Sequence, residues 1–404
     1  MDYLTEKFKR LGIDNAAGQE ERQKADNLEL RGEKLAGPAV NFSHGDVDAH
    51  EPTPGSMELF VEGFKKGGEV AYTVYRGSGD TRKEVAEKLA AFTGAPIDYD
   101  NELILTPGTQ GALFLALGCL VGRGDKVAIV EPDYFDNRKL VEFFDGELVP
   151  VKLAYEGQES CAGVNLAELE ESFKQGVKLF LFSNPNNPTG VIYSEAEIRG
   201  IAKLAKKYNV TLIVDELYSR QIFDHNAYTH LRALPERPDN MLTIMGPSKT
   251  ESLSGFRLGT AFGTASIIER MEKLQAIVTL RAPGYSQYVF KSWFNEPEGW
   301  LADRVAQHQQ IRDDLVAVVR SHEGCYVRKT MGGSYIFPKL PKMDVSISDF
   351  AKIVRQLTGV AITPGTEFGP QFTNNFRVNF SQDHDDAIDA VKRVMMVMER
   401  YRSK

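Results

Sequence analysis

Short apolar runs alternate with amphipathic stretches through the middle of the chain. ELILT (102–106) precedes a helix-like QGALFLALGCLV, and KVAIV (126–130) precedes DNRKLVEFF. KLFLFS (178–183) precedes SEAEIRGIAKLAKKY, and TLIVD (211–215) and MLTIM (241–245) follow. Short β-rich runs separated by helices need crossover connections, so they predict a largely parallel sheet covered on both faces. Before them, TRKEVAEKLAAF (81–92) puts Val85, Leu89, Ala90 and Phe92 on one helical face. The first forty residues are polar and helix-prone, and PAVNFSHGD then reads as a short strand and a turn. The pattern changes after about residue 290. Ala302–His322 reads as one long amphipathic helix, and GGSYIFPKL, VAITPG and FRVNFS read as strands. The expectation is an α/β chain: a large domain over 71–290, and a smaller α+β domain over 291–404 joined by the N-terminal segment 1–70.

Composition narrows the class. The chain has 404 residues, 42% hydrophobic and 26% charged, which suits two packed domains rather than disorder. Its net charge of −8 gives no basic face for nucleic acid or a membrane surface. Cys119, Cys161 and Cys325 lie far apart, without the spacing of a disulfide framework or a zinc site, which fits a reducing compartment. The start, MDYLTEKFKRLG, lacks an apolar signal core, and no stretch approaches the roughly 18 apolar residues of a membrane span. A cytoplasmic protein with no membrane and no nucleic-acid partner is expected. GxGxxG and GxxxxGK[ST] are both missing, which disfavours dinucleotide and P-loop readings.

Several segments carry residue types suited to chemistry, each with an ordinary structural alternative. GPSKTESLSGFRLG (246–259) sets Lys249 and Arg257 on a Gly/Ser-rich loop, where a solvated lysine is the bland account. TLIVDELYSRQIF ends a buried strand on Asp215, with Tyr218 three residues later; acids often cap strand ends. SNPNNPTGVIY (183–193) is an Asn/Pro/Gly turn between a strand and a helix. LTPGTQGALFLAL is a strand-to-helix turn, and the free N–H groups of Gly108, Thr109 and Gln110 would favour an anion there. EPDYFDN holds Tyr134, YTVYRGSGDTR holds Tyr72, and FRVNFS sets Arg377 between apolar neighbours. HGDVDAH (44–50), with His44, Asp46, Asp48 and His50, looks rich in metal ligands but has no supporting cluster elsewhere, and no metal is expected.

In this order, over roughly Asn41 to Phe380, the segments resemble the pyridoxal 5′-phosphate (PLP) dependent fold-type I, class I/II aminotransferase family, of the aspartate aminotransferase-like kind. The resemblance implies a mostly parallel seven-stranded sheet between helices, PLP as cofactor, and a homodimer with shared sites. It implies that Lys249 forms an internal aldimine with PLP and that Asp215 keeps the pyridine nitrogen protonated. Tyr218 and Asn187 would reach the ring's phenolic oxygen, and Tyr134 would stack on the ring. Ser248, Arg257 and the turn at Gly108, Thr109 and Gln110 would hold the phosphate, with Tyr72 reaching the phosphate of the neighbouring subunit. Arg377 would grip the substrate α-carboxylate, with the Gly45 backbone packed against it. One departure stands out: relatives often carry Ser or Thr where this chain has Gly246, which removes a phosphate hydrogen bond. Arg281 lies near where some dicarboxylate-specific relatives place a second arginine. The implied activity is transfer of an amino group from an α-amino acid to a 2-oxo acid by a ping-pong mechanism. β-Elimination, β-decarboxylation and oxidation on the same scaffold are the alternatives, and a ligand-sensing regulator is a weaker one.

Overall fold

Uninterrupted apolar character makes strands of the central runs. In the computed structural model, which describes residues 2–12, 27–45, 49–157 and 160–403, Leu179–Ser183 and Met241–Met245 are buried at every position. That is the signature of strands covered on both faces. After a short first strand, β1 (Val40–Asn41), come β2 (Leu103–Pro107), β3 (Lys126–Glu131), β4 (Glu147–Lys152) and β5 (Leu179–Ser183). β6 (Thr211–Asp215), β7 (Met241–Met245) and β8 (Leu258–Gly263) complete a seven-stranded sheet in the order β2-β8-β7-β6-β5-β3-β4. β8 runs antiparallel to β2 and β7, and the other pairings are parallel. The carboxyl ends of β2, β3, β5, β6 and β7 therefore share one edge, where open α/β sheets collect their ligands.

Helices cover both faces. Ser194 starts the helix Glu195–Tyr208 with a capping box: its hydroxyl accepts from Glu197 N at 3.3 Å, and the Glu197 carboxylate accepts from Ser194 N at 2.7 Å. Ile198, Ile201, Ala202 and Ala205 then fall on one buried face at helical spacing. They join Phe180, Phe182 and Leu212 in one core cluster. On the other face Ala112, Leu115 and Ala116 pack with Ile267, Ile268 and Met271.

The remaining strands build a smaller unit. β9 (Tyr335–Ile336), β11 (Thr363–Pro364) and β12 (Phe376–Asn379) form an antiparallel sheet in the order β11-β12-β9, and β10 (Val360–Ala361) pairs in parallel with β1. Trp300–Arg320, Ile347–Thr358 and His384–Tyr401 enclose a core that includes Leu315, Phe350, Val354, Val391 and Met395. Val40 and Phe42 belong to that core, whereas Tyr3–Leu11 lies on the large-sheet side, with the Tyr3 hydroxyl donating to Asp145 at 2.6 Å. Ser56–Lys65 packs on the segment Tyr285–Ser292. The helix expected from Ala302 begins two residues earlier, and of GGSYIFPKL only Tyr335 and Ile336 are ladder residues. Among the described residues, no helix is long and apolar enough to cross a membrane.

Candidate active site

A cavity of about 220 Å³ opens at the shared carboxyl edge. Thr109 and Gln110 line it from the turn after β2, and Tyr134 from the segment after β3. Asn187 follows β5, Asp215 ends β6 with Tyr218 just beyond it, and Ser248, Lys249 and Arg257 follow β7. Arg377 reaches in from β12 of the smaller unit. Residues from 109 to 377 thus converge because each occupies a strand end or the loop just after one.

The turn after β2 is packed to the limit. Thr106 Oγ1 donates to the Gly108 carbonyl at 2.9 Å, and Gly108 takes φ +75°. A Cβ on Gly108 would overlap the Arg257 guanidinium, and one on Gly259 would overlap the Gly108–Thr109 backbone. Glycine at both positions lets the arginine lie against the start of the helix Gly108–Leu120, whose first N–H groups have no intrahelical partner. Arg257 itself has φ +55°, unusual for a side chain with a Cβ, and Nη1 donates to the Ser254 carbonyl at 2.8 Å. Gly246 has a local cause. A Cβ there would lie 3.0 Å from both the Leu258 carbonyl and Thr109 Cγ2, so the Thr109 methyl already fills the space a larger residue would need.

Two acids sit beneath the cavity with different partners. Asp215 accepts from Leu217 N at 3.0 Å, and burial pushes its carboxyl up to about 6 against that hydrogen bond, with Glu216 adding to the rise. It keeps some exposed surface because it opens onto the cavity, while the protein around it is closed. Asp133 is fully enclosed. It accepts from Ser183 Oγ at 2.6 Å, Ser183 N at 2.9 Å and Tyr134 N at 2.6 Å, tying the end of β5 to the Tyr134 loop. Burial raises it to about 7 despite the Ser183 and Tyr134 bonds, with Asp215 contributing. The sequence reading passed over Asp133, although EPDYFDN contains it.

Arg377 is 2% exposed. Nη1 donates to Asn187 Oδ1 at 3.0 Å and Nη2 to the Ser43 carbonyl at 2.7 Å, while the buried Nε has no acceptor. Phe135, Tyr335 and Phe368 surround the guanidinium at 5.7, 4.4 and 5.1 Å. Tyr335 went unnoticed in the sequence. Its hydroxyl lies 2.6 Å from that of Tyr218, either able to donate. Burial pushes the Tyr218 phenol well above its ordinary range, with Tyr335 adding. Burial acts on Tyr335 in the same sense, but the charges of Arg377 and Lys249 together with the Tyr218 hydrogen bond hold Tyr335 below the ordinary range.

Lys249, half-buried, faces both this cavity and a cleft of about 20 Å³ beside Gly45. Gly45 lines that cleft and not the cavity, and the backbone group that accepts from Arg377 is the Ser43 carbonyl. Gly108 lies under Arg257 and does not line the cavity. Tyr72 is 80% exposed, outside the cavity of its own chain, with Arg281 5.2 Å from its ring. Of the HGDVDAH segment, Asp46 and Asp48 lie outside the described residues. His44 lines the cavity, and His50 stacks on His308 at 4.3 Å. Among the described residues no cluster of His, Cys, Asp and Glu could hold a metal.

A mostly parallel seven-stranded sheet between helices, with a cavity at its shared carboxyl edge, is the architecture of fold-type I enzymes. The chain belongs to the family "Aminotransferase class I and II", whose profile matches residues 39–394, and it is an aminotransferase. Members of that family depend on PLP. Among solved structures it is similar to an aspartate aminotransferase from Rhodobacter sphaeroides 2.4.1, at 56% identity and a TM-score of 0.94, covering 99% of this chain and 100% of that one. It is 27% identical over 364 residues to the aspartate aminotransferase of Sulfurisphaera tokodaii, covering 88% of each chain. An aromatic aminotransferase from Pyrococcus horikoshii OT3 shares the fold at a TM-score of 0.82 and 23% identity, covering 90% of this chain and 96% of that one.

Proposed function

We propose that this aminotransferase carries PLP on Lys249 and moves the amino group of an α-amino acid, aspartate foremost, to a 2-oxo acid by ping-pong exchange. The carrying observation is the convergence of Lys249, Asp215 and Arg377, whose buried Nε has no acceptor, on one cavity. The residues fit the cofactor. The helix start at Gly108, Ser248 and Arg257 suit a phosphate, the Gly108–Gly259 approach keeps that cradle free of side chains, and Asp215 suits a cationic ring nitrogen. When bound, PLP supplies an electron sink for the substrate α-carbon.

The chain's own groups do the rest. Arg377 binds the α-carboxylate through a planar fork, backed by Asn187 and the Ser43 carbonyl. Asp215 holds a proton at the ring nitrogen. Lys249 Nζ takes the proton from the substrate α-carbon and returns it on the way to product. Tyr218 and Asn187 would donate to the cofactor's phenolic oxygen, and Tyr134 would lie against its ring.

Aspartate as donor rests on the names of the relatives and on Arg281, which stands beside Tyr72 on an exposed face. We propose a homodimer in which that pair serves the other subunit's site. Val74 (60% exposed), Ile277 (81%) and Leu280 (53%) give that face the apolar surface a partner would cover. A cytoplasmic location belongs to the same reading.

The test is a donor panel with pyruvate and 2-oxoglutarate as acceptors, measured for oxo acid, new amino acid, ammonia and carbon dioxide. Equal oxo acid and new amino acid, fastest with aspartate, is expected. Ammonia or carbon dioxide released without an acceptor overturns transamination in favour of the lyase, oxidase or decarboxylase reading.

A further inference from the structure

Tyr335 has a defined place and no role in the scheme above. Its backbone is fixed twice: it sits opposite Asn379 in the β9–β12 ladder, and Thr330 Oγ1 donates to its carbonyl at 2.6 Å. Its ring meets that of Tyr218 edge-on at 5.4 Å, and the Arg377 guanidinium lies 4.4 Å from its centroid. The two hydroxyls, 2.6 Å apart, hold one donor hydrogen each. If Tyr218 donates to Tyr335, it has nothing left for the cavity; if Tyr335 donates, the Tyr218 proton is free.

Resting on the cofactor reading, we propose that Tyr335 is a positioning residue: its hydroxyl donates to Tyr218, and this leaves the Tyr218 proton for the phenolic oxygen of the bound cofactor. The Arg377 cation sets the direction, because a phenol beside a cation is the better donor of a pair. The charged and titratable groups facing Tyr335 are Arg377 on β12, Lys249 after β7, Asp215 and Tyr218 after β6, and Tyr134 after β3. Of the charges facing it, the two cations outweigh the carboxylate. A substrate carboxylate on Arg377 cancels that charge and weakens the bias, so filling the clamp and donation by Tyr218 are linked.

The test is a pH titration of the visible absorption of the holoenzyme, with and without succinate as an unreactive carboxylate probe. Loss of the donor makes Tyr218 a weaker acid, so Tyr335→Phe should move the cofactor's absorption midpoint up by about 0.5–1 pH unit, the size of one lost hydrogen bond. Succinate, by cancelling the Arg377 charge, should move the wild-type midpoint up, and that shift should shrink in Tyr335→Phe. In a Tyr218→Phe background Tyr335→Phe should have no further effect, a silence that a merely structural role would not produce. Should Tyr335→Phe fail to hold cofactor, 3-fluorotyrosine at position 335, a stronger acid of nearly the same shape, should move the midpoint down. Bound cofactor with an unchanged midpoint, or shifts of the same sign in both variants, overturns the proposal alone. A wild-type protein that binds no cofactor overturns it together with the reading it rests on.

Discussion

Replacing Arg377 with alanine isolates the carboxylate clamp. The side chain is 2% exposed, two of its nitrogens are committed to Asn187 and Ser43, and the third is unsatisfied. A substrate carboxylate entering this site leaves water and meets the guanidinium as its counter-charge. Without it, a buried charge stands uncompensated, at a cost of roughly 3–5 kcal/mol. At about 1.4 kcal/mol per tenfold, kcat/KM should fall by two to three orders of magnitude or more. Every donor presents the same α-carboxylate, so the loss should be similar for aspartate, glutamate, alanine and an aromatic amino acid. Arg377→Lys keeps the charge without the fork and should fall between. The assay is initial rates across those donors, with cofactor content measured by absorption so that a fall in kcat/KM is not lost PLP. Arg281→Ala is the matched control: it should slow only the dicarboxylic donors. A normal rate for Arg377→Ala with any donor would refute the placement of the substrate, and a uniform loss at Arg281 would make that residue structural.

Asp215→Ala should keep part of its PLP but lose roughly 100-fold or more in turnover, because a neutral pyridine is a poor electron sink; a near-normal rate would put the acid elsewhere. Mixing Lys249→Ala with Tyr72→Phe under subunit exchange should restore activity, since one site of each hybrid receives both intact groups, and a fully active monomer at assay concentration would refute the shared site. Glu251, buried two residues past Lys249 and paired with Arg220, which also binds Glu296, is pushed up to about 7 by burial, with Arg220 opposing and Glu296 adding. The unfolded chain ionises this acid at ~4.3, so the fold loses up to about 4 kcal/mol from it as pH rises from there to about 7. Glu251→Gln cannot titrate, so its melting temperature relative to wild type should rise between pH 5 and pH 8; a difference independent of pH would refute the shift.

What could be read in advance was local. Lys249, Asp215, Asn187 and Arg377 each stand in a short segment near a strand end, so their motifs could be matched in order to those of the family the sequence resembles. Tyr335 had no such marker: its partner Tyr218 is 117 residues away, and only the pairing of β9 with β12 puts it beside Arg377. Two strands of the sheet were equally hidden. β4, ELVPVK, carries a proline and exposed positions because it is an edge strand, and β8, LGTAFG, reads as a loop because of its glycines. Gly259 is there to let β8 approach the Gly108 turn, a demand that only the folded neighbours create. The same holds for Gly246, where the filling group is the methyl of Thr109, 137 residues earlier in the chain. Tyr72 and Arg281 were legible as residue types, but the purpose proposed for them depends on a second copy of the chain.

The central claim is that Lys249 carries the cofactor, and borohydride reduction of the purified protein followed by peptide mass mapping tests it most directly. The account predicts a yellow protein that bleaches on reduction, with a pyridoxyl-phosphate adduct on the peptide containing Lys249 and on no other. An adduct on a different lysine, or none from a protein that retains aminotransferase activity, would contradict it.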